Sequence, residues 1–362
     1  MMGELQMAPW YNKEPKGIDE WAGGLMPFCN KDERNVPDSA FSTIMSSPKK
    51  AFITGITGQD GSFAAELLLS KGYAVHGLVR RQREPNYHNL RGILSRVKLH
   101  EGDIADATSV SQIIKEIKPD EIYHYAAMSF IPYGLSAPAY TVSTNTIGTL
   151  NILEAVRIHA PHASVLNAAT SEMFGHPKKS PQTLETPFNP ASPYAISKVA
   201  AFHIVNYYRN TYGIQAVNAI SFNHESERRG TQFVTRKIAM AAASKKPVFL
   251  GDLDAERDWG WAPEFVEGHY QYLQRGMKYP ALIFATGEVH SVEEFAERAY
   301  GIAGLEWSQY VKIDDSLKRV KTEPQTLMGD ISVTQKAIGW TPKIKFNEIV
   351  EKMMHAETFL EP

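Results

Sequence analysis

The stretch AFITGITGQDGSFAAELLLSKGYAVHGLVRR, beginning at Ala51, constrains the fold of this 362-residue chain more than any other segment. A short apolar run, AFIT, leads into Gly55, Gly58 and Gly61, and SFAAELLLSKG then carries helical periodicity up to Gly72. This predicts strand, turn and helix. The Gly55-x-x-Gly58-x-x-Gly61 spacing lets the backbone turn tightly and approach a pyrophosphate, whose charge the N-terminus of the following helix stabilises. Three glycines alone would describe an ordinary turn; the strand before them and the helix after them make the pattern a dinucleotide site.

A second strand, AVHGLV, ends in Arg80 and Arg81. An NAD-specific site often carries Asp or Glu there for the ribose 2′-hydroxyl, whereas arginine suits a 2′-phosphate, so NADP is favoured over NAD. Two solvated loop arginines are the alternative. The alternation continues through RVKLHEGDI, IIKEIKPDEIYHYAA and TNTIGTLNILEAVRIHA. The expected architecture is therefore α/β, a Rossmann-type doubly wound parallel sheet with a smaller C-terminal substrate-binding lobe. Asp103, at a strand end, suits an approach to the adenine; a loop cap is the other reading.

A formal net charge of -2 gives no electrostatic footprint for nucleic acid, so any anion is held by a local cluster of Arg and Lys. Cys29 is the single cysteine and cannot form an intrachain disulfide. No apolar run approaches the roughly 20 residues of a membrane span. A cytoplasmic protein with neither nucleic-acid nor membrane partners is expected. Residues 1–48 lack the apolar core of a signal peptide and the Arg-rich, acid-poor look of a transit peptide, and read as an appended arm. The expected organisation is that arm, a Rossmann domain over 49–220, and a lobe over 221–362 interleaved with it. Strands such as LIFATG are candidates to return to the sheet.

The chemistry follows the next buried strand. SVLNAATSEMFG emerges into a polar tip, Thr170, Ser171 and Glu172, close to where a nicotinamide belongs. SPYAISK then sets Tyr194 and Lys198 at i and i+4, on one face of a helix. An adjacent ammonium and a positively charged nicotinamide favour the phenolate, which makes Tyr194 a candidate base near neutrality. Lys198 also suits a hydrogen bond to the nicotinamide ribose, and Thr170 one to the reacting oxygen. Glu172 supplies a further acid/base group that simple alcohol oxidation does not require; a helix-start glutamate is its alternative.

Through TGITGQDG, ATSE and Tyr194-A-I-S-Lys198 the chain resembles the extended short-chain dehydrogenase/reductase family. FNHESERRGTQFVTRKI, LGDLDAERDWGWAPEFVEG and ATGEVHSVEEF look, within it, like the GDP-mannose 4,6-dehydratase family, from about Ala51 to the C-terminus. The resemblance implies a catalytic set of Thr170, Glu172, Tyr194 and Lys198. It implies oxidation at C4 of the sugar, loss of water across C5 and C6, and hydride return to C6, giving GDP-4-keto-6-deoxymannose. The implied NADP contacts are Gly55, Gly58, Gln59, Asp60 and Gly61, then Arg80, Asp103, Ile104, Ala126, Ala127, Ser129 and Tyr140, with Lys198, His224 and Arg229. Without the resemblance, His224 reads as a packed histidine. Asn223, Lys237 and Arg257 are candidates for the nucleotide diphosphate, because cations and an amide suit its oxygens. Arg319 approximates the position of another diphosphate-binding arginine. No metal is expected, and a homodimer or homotetramer is implied.

Two departures bear on the substrate. Met128 stands where the family commonly has glutamine, and RVKTEPQTLMGD only approximates the family's C-terminal pattern. Another nucleotide sugar, such as a GDP-heptose, therefore stays open as substrate. An epimerase or reductase of the same fold is disfavoured by Glu172, and a non-catalytic NADP-binding regulator by the intact Tyr194 and Lys198.

Overall fold

The computed structural model describes residues 47–318 and 326–358. The expected arm over 1–48 therefore falls, all but its last two residues, outside the described residues, and Arg319 lies outside them too. From Ser47 onward the chain is one compact unit.

Seven strands, labelled along the chain, form the central sheet: β1 (Lys50–Thr54), β2 (Ala74–Val79), β3 (Val97–Glu101), β4 (Glu121–His124), β5 (Ser164–Thr170), β6 (Ala216–Ser221) and β11 (Ala281–Phe284). Their order is β11-β6-β5-β4-β1-β2-β3, and every pairing is parallel. Most of these strands are buried along their length because both faces are covered, whereas the edge strand β3, VKLHE, is largely half-buried or exposed. On one face, α1 (Gln59–Ser70) and α7 (Ala262–Arg275) bury Leu68, Phe265 and Tyr272 against the sheet. On the other, α2 (Ala107–Ile117), α4 (Pro138–His159) and α5 (Pro193–Tyr212) bury Ile114, Val156 and Val205. The short α3 (Ile131–Ser136) precedes α4.

Residues after 221 are shared between the sheet and a smaller lobe. The lobe core gathers α6 (Val234–Ala243), α8 (Val292–Ile302) and α11 (Phe346–Thr358) around Trp259, with Trp307 of α9 (Trp307–Tyr310) packed against it. Its strands pair locally. β7 (Asn223–Glu225) lies beside β10 (Trp259–Trp261), and β8 (Val248–Leu250) beside β13 (Val311–Ile313). β9 (Glu256–Arg257) lies between β12 (His290–Ser291) and β14 (Thr326–Leu327). β11 and α10 (Ser332–Ile338) belong instead to the sheet side, where Ile338 joins the core of α1 and α7. The chain crosses from sheet to lobe between β6 and β7. That crossing brings Asn223 and His224 to the seam above the C-terminal strand ends, where open α/β sheets hold their ligands.

Candidate active site

The glycine turn forms as its spacing predicts. Gly58 N–H donates to the Gly55 carbonyl at 2.9 Å and Gly58 caps α1 without any side-chain hydrogen bond, so the helix offers bare backbone N–H groups. Gly55 has φ of +71°, and a Cβ there would stand 2.8 Å from the Ala126 nitrogen. A Cβ on Gly61 would stand 2.2 Å from the Gly55 carbonyl oxygen. The turn is thus closed to any side chain, which leaves the cradle a dinucleotide pyrophosphate requires. A cavity of 1040 Å³ opens from it. Its walls include Gln59, Asp60, Arg80 after β2, Asp103 and Ile104 after β3, and Ala126, Ala127 and Ser129 after β4. Tyr140 stands behind Arg80, its hydroxyl accepting from the guanidinium at 3.2 Å.

A second cavity of 420 Å³ adjoins the first, sharing Asp60, Tyr125, Ala127, Ser129 and Arg229 with it. Thr170, Glu172, Tyr194 and Lys198 all line this second space, as do Asn223, His224, Lys237 and Arg257. Thr170 ends β5, and its hydroxyl accepts from the Glu172 backbone N–H at 3.3 Å, capping the short turn over Ser171–Phe174. Ser192 caps α5 by accepting from Ala195 N–H at 3.1 Å, and Pro193 occupies the first helical position. That start fixes Tyr194 in the first turn. Lys198, one turn on, donates to the Ala168 carbonyl of β5 at 2.8 Å, so helix and strand end hold each other in register.

Burial pushes the Tyr194 phenol up to about 12; the Thr170 hydrogen bond and Arg229 oppose this, while Glu172 and Asp60 add to it. Burial likewise pushes the Lys198 ammonium down to about 8 against the attraction of Asp60. Asp60 itself, although desolvation favours its neutral form, is held well below the usual carboxylate range by the charge and hydrogen bond of His224. His224 shifts the other way: burial would lower it, but Asp60 at 3.0 Å and the Phe222 carbonyl at 2.7 Å outweigh that. Its ring stacks on Phe265 at 4.8 Å. Both of its nitrogens are thus engaged by the protein even as it lines the cavity.

The two arginines after β7 diverge. Arg228 turns back to α1, donating to Glu66 at 2.6 Å and to Ser62 at 3.1 Å with its guanidinium 4.0 Å from the Phe63 ring centroid. Arg229 borders both cavities, paired with buried Glu225 at 3.2 Å. Gln59 links α1 to the same segment through the His224 carbonyl and the Ser226 hydroxyl. Arg257 is almost fully buried and donates to the Glu256 carbonyl at 2.8 Å. Among the described residues no cluster of His, Cys, Asp or Glu fits a metal, and no helix is long and apolar enough to cross a membrane.

Residues 52–353 match the profile of the GDP-mannose 4,6 dehydratase family. The chain belongs to that family. It is 43% identical over 332 residues to "GDP-mannose 4,6 dehydratase 2" of Arabidopsis thaliana, covering 87% of this chain and 88% of the relative. It is 40% identical over 348 residues to the human "GDP-mannose 4,6 dehydratase", covering 87% and 93%. Solved structures share the fold. A dTDP-glucose 4,6-dehydratase from Streptomyces venezuelae with NAD bound superposes with TM-score 0.79 at 21% identity, covering 86% of this chain and 97% of that one. A UDP-glucose 4-epimerase from Thermus thermophilus with NAD gives 0.77 at 24%, covering 86% and 100%.

One contributor to this GDP-mannose 4,6-dehydratase family site escapes a reading of motifs. Asn145 on α4 is buried; its carbonyl oxygen accepts from Met128 N–H at 2.7 Å, and its amide donates to the Met128 carbonyl at 3.2 Å and to Ser197 at 2.9 Å. It ties the segment after β4 to the turn of α5 that carries Tyr194 and Lys198. Its signal in the sequence is only an amide amid the polar run TVSTNT.

Proposed function

We propose that the protein is an NADP-dependent GDP-mannose 4,6-dehydratase that releases GDP-4-keto-6-deoxymannose and water. The observation that carries this reading is a single cavity lined by Tyr194, Lys198, Thr170 and the additional carboxylate Glu172. An epimerase or 4-reductase has no elimination for Glu172 to perform. A nicotinamide dinucleotide, when bound along the glycine turn, supplies the acceptor for hydride from C4 and its return to C6. NADP rather than NAD is favoured by Arg80, which lines the nucleotide cavity at the end of β2 where a 2′-phosphate needs a cation.

Tyr194 takes the proton of the sugar 4-hydroxyl, with Thr170 hydrogen-bonding the same oxygen. Once C4 is a ketone, the C5 hydrogen is acidic. Glu172 removes it and delivers a proton to the 6-hydroxyl, which leaves as water. The proton held by Tyr194, passed on directly or by exchange with water, would then return to C5, so that Tyr194 and Glu172 end in their starting protonation states and the sugar has lost one water. Lys198 would hold the cofactor ribose, and Asn223, Lys237 and Arg257 would supply an amide and two cations to the diphosphate.

The test is incubation with GDP-mannose, with and without added NADP, following the sugar by NMR and reduced cofactor by absorbance. A 4-keto-6-deoxy product without stoichiometric NADPH is expected. Unchanged GDP-mannose in the presence of folded, NADP-loaded protein would overturn the assignment of substrate.

A further inference from the structure

A buried hydrogen-bonded chain runs behind the junction of the two cavities, and none of its members belongs to the catalytic set. Tyr125, the first residue after β4, lines both cavities. Its hydroxyl lies 3.2 Å from Nδ1 of His269 on α7, whose Nε2 lies 3.0 Å from the Ser221 hydroxyl at the end of β6. His269 is 1% exposed, with the Phe284 ring edge-on at 4.8 Å and the Tyr125 ring at 5.8 Å. Burial keeps this imidazole neutral, down at about 3, although Asp60 draws it the other way.

A neutral imidazole donates through one nitrogen and accepts through the other, so the chain has two self-consistent directions. Tyr125 donates to Nδ1 while Nε2–H donates to Ser221, or Ser221 donates to Nε2 while Nδ1–H donates to Tyr125. In either, the phenol is held at its hydroxyl end by the His269 ring, and the residue borders both cavities. A wall that only had to fill space needs no polar anchor, and three buried polar groups are costly unless each is satisfied. Here each is. The neighbouring residue is pinned on its own side: His124 meets the Thr54 hydroxyl at 2.7 Å and that of Thr149 at 3.2 Å. Thr54 also accepts from Ala126 N–H at 3.2 Å. Residues 124–126 are thereby fixed by side-chain bonds where the nucleotide cavity gives way to the reaction cavity.

We propose that Tyr125, anchored through His269 to Ser221, is a positioning residue that fixes the reactive end of the dinucleotide at the junction of the two cavities. The proposal rests on the reading that a nicotinamide dinucleotide spans them. Hydride transfer is sensitive to placement at the ångström level, so loss of the anchor should act on cofactor affinity and turnover and leave sugar-nucleotide binding nearly unchanged.

The test combines equilibrium NADP titration by calorimetry with steady-state turnover of GDP-mannose and thermal unfolding. Tyr125→Phe keeps the ring and removes the anchor; NADP affinity should fall about fivefold and kcat about tenfold, with KM for GDP-mannose within about twofold of wild type. His269→Leu should match it, and the double variant should lose no more than either alone. His269→Asn, whose amide can take the place of Nδ1, should recover most of the loss. Variants with affinity and kcat within about twofold of wild type, or losses that add in the double variant, overturn the proposal. A lowered unfolding temperature with unchanged affinity and turnover marks the chain as structural and overturns it equally. If wild type binds NADP yet leaves GDP-mannose untouched, the substrate reading fails while the NADP titrations still decide the role of Tyr125. A wild type that binds no NADP removes both readings together.

Discussion

Burial raises Tyr194 to about 12 and lowers Lys198 to about 8, so before cofactor binds both side chains are pushed toward their neutral forms. The sequence suggests a lysine ammonium that acidifies the phenol; the folded site adds two carboxylates, Glu172 and Asp60, that work against it. In the function proposed above, the positive charge of an oxidised nicotinamide would favour the Tyr194 phenolate, which would tie proton removal from the sugar to the presence of the oxidised cofactor. Tyr194→Phe should cut turnover about 10²- to 10⁴-fold with no reduced cofactor seen. Glu172→Gln should behave differently. It leaves the C4 oxidation intact and blocks elimination, so turnover falls by a similar factor while NADPH absorbance builds toward one per site. Stopped-flow absorbance at the NADPH band separates the two; silence in both variants would remove Glu172 from the elimination step.

Strand, glycine turn and helix were legible at the level of elements because each leaves a local mark: an apolar run, a fixed spacing, a helical period. The cost of altering the turn can be stated from its geometry. Gly61→Ala places a methyl carbon 2.2 Å from the Gly55 carbonyl oxygen, a backbone atom that cannot move without moving β1 or α1. Stability should drop by about 1–3 kcal/mol and NADP affinity by more than about tenfold, measured by denaturant unfolding and calorimetry; wild-type values in both would contradict the steric argument. What stayed illegible depends on contacts between elements far apart in the chain. Arg228 and Arg229 are adjacent and chemically identical, yet Arg228 packs on α1 and borders only the nucleotide cavity, while Arg229 pairs with Glu225 and borders both cavities. Nor does the polar run around Asn145 show which amide will meet Met128 across the sheet end. Both bonds run through the backbone of Met128, so they do not depend on its side chain.

Across the molecule, buried histidines set the response to acid. His124 on β4 bonds to Thr149 of α4, and His269 sits on α7, so they occupy opposite faces of the sheet, each held down at about 3 chiefly by burial. With folded values below the unfolded 6.5, the unfolded chain binds more protons between pH 6.5 and 3, so their contribution is complete above about 6.5 and is lost as the pH falls. Half-buried His76, at about 4, acts in the same direction. His224 has the opposite sign: raised by Asp60, it stabilises the fold below 6.5 and loses that contribution as the pH rises through its folded value. The sum depends on magnitude. Two fully buried imidazoles lowered by several pH units each withdraw on the order of 3 kcal/mol by pH 4, and a single raised imidazole, His224 in its largely buried pair with Asp60, works against the two. The unfolding temperature should therefore fall steadily from pH 7 to pH 4. His269→Leu starts lower at pH 7, because its bonds to Tyr125 and Ser221 are gone, but it should lose less over that interval. Calorimetric scans at half-unit steps give both slopes. Parallel slopes would mean that His269 is hydrated or repositioned before it protonates, and the acid response would then have to come from His124, His76 and His100, which burial lowers as well.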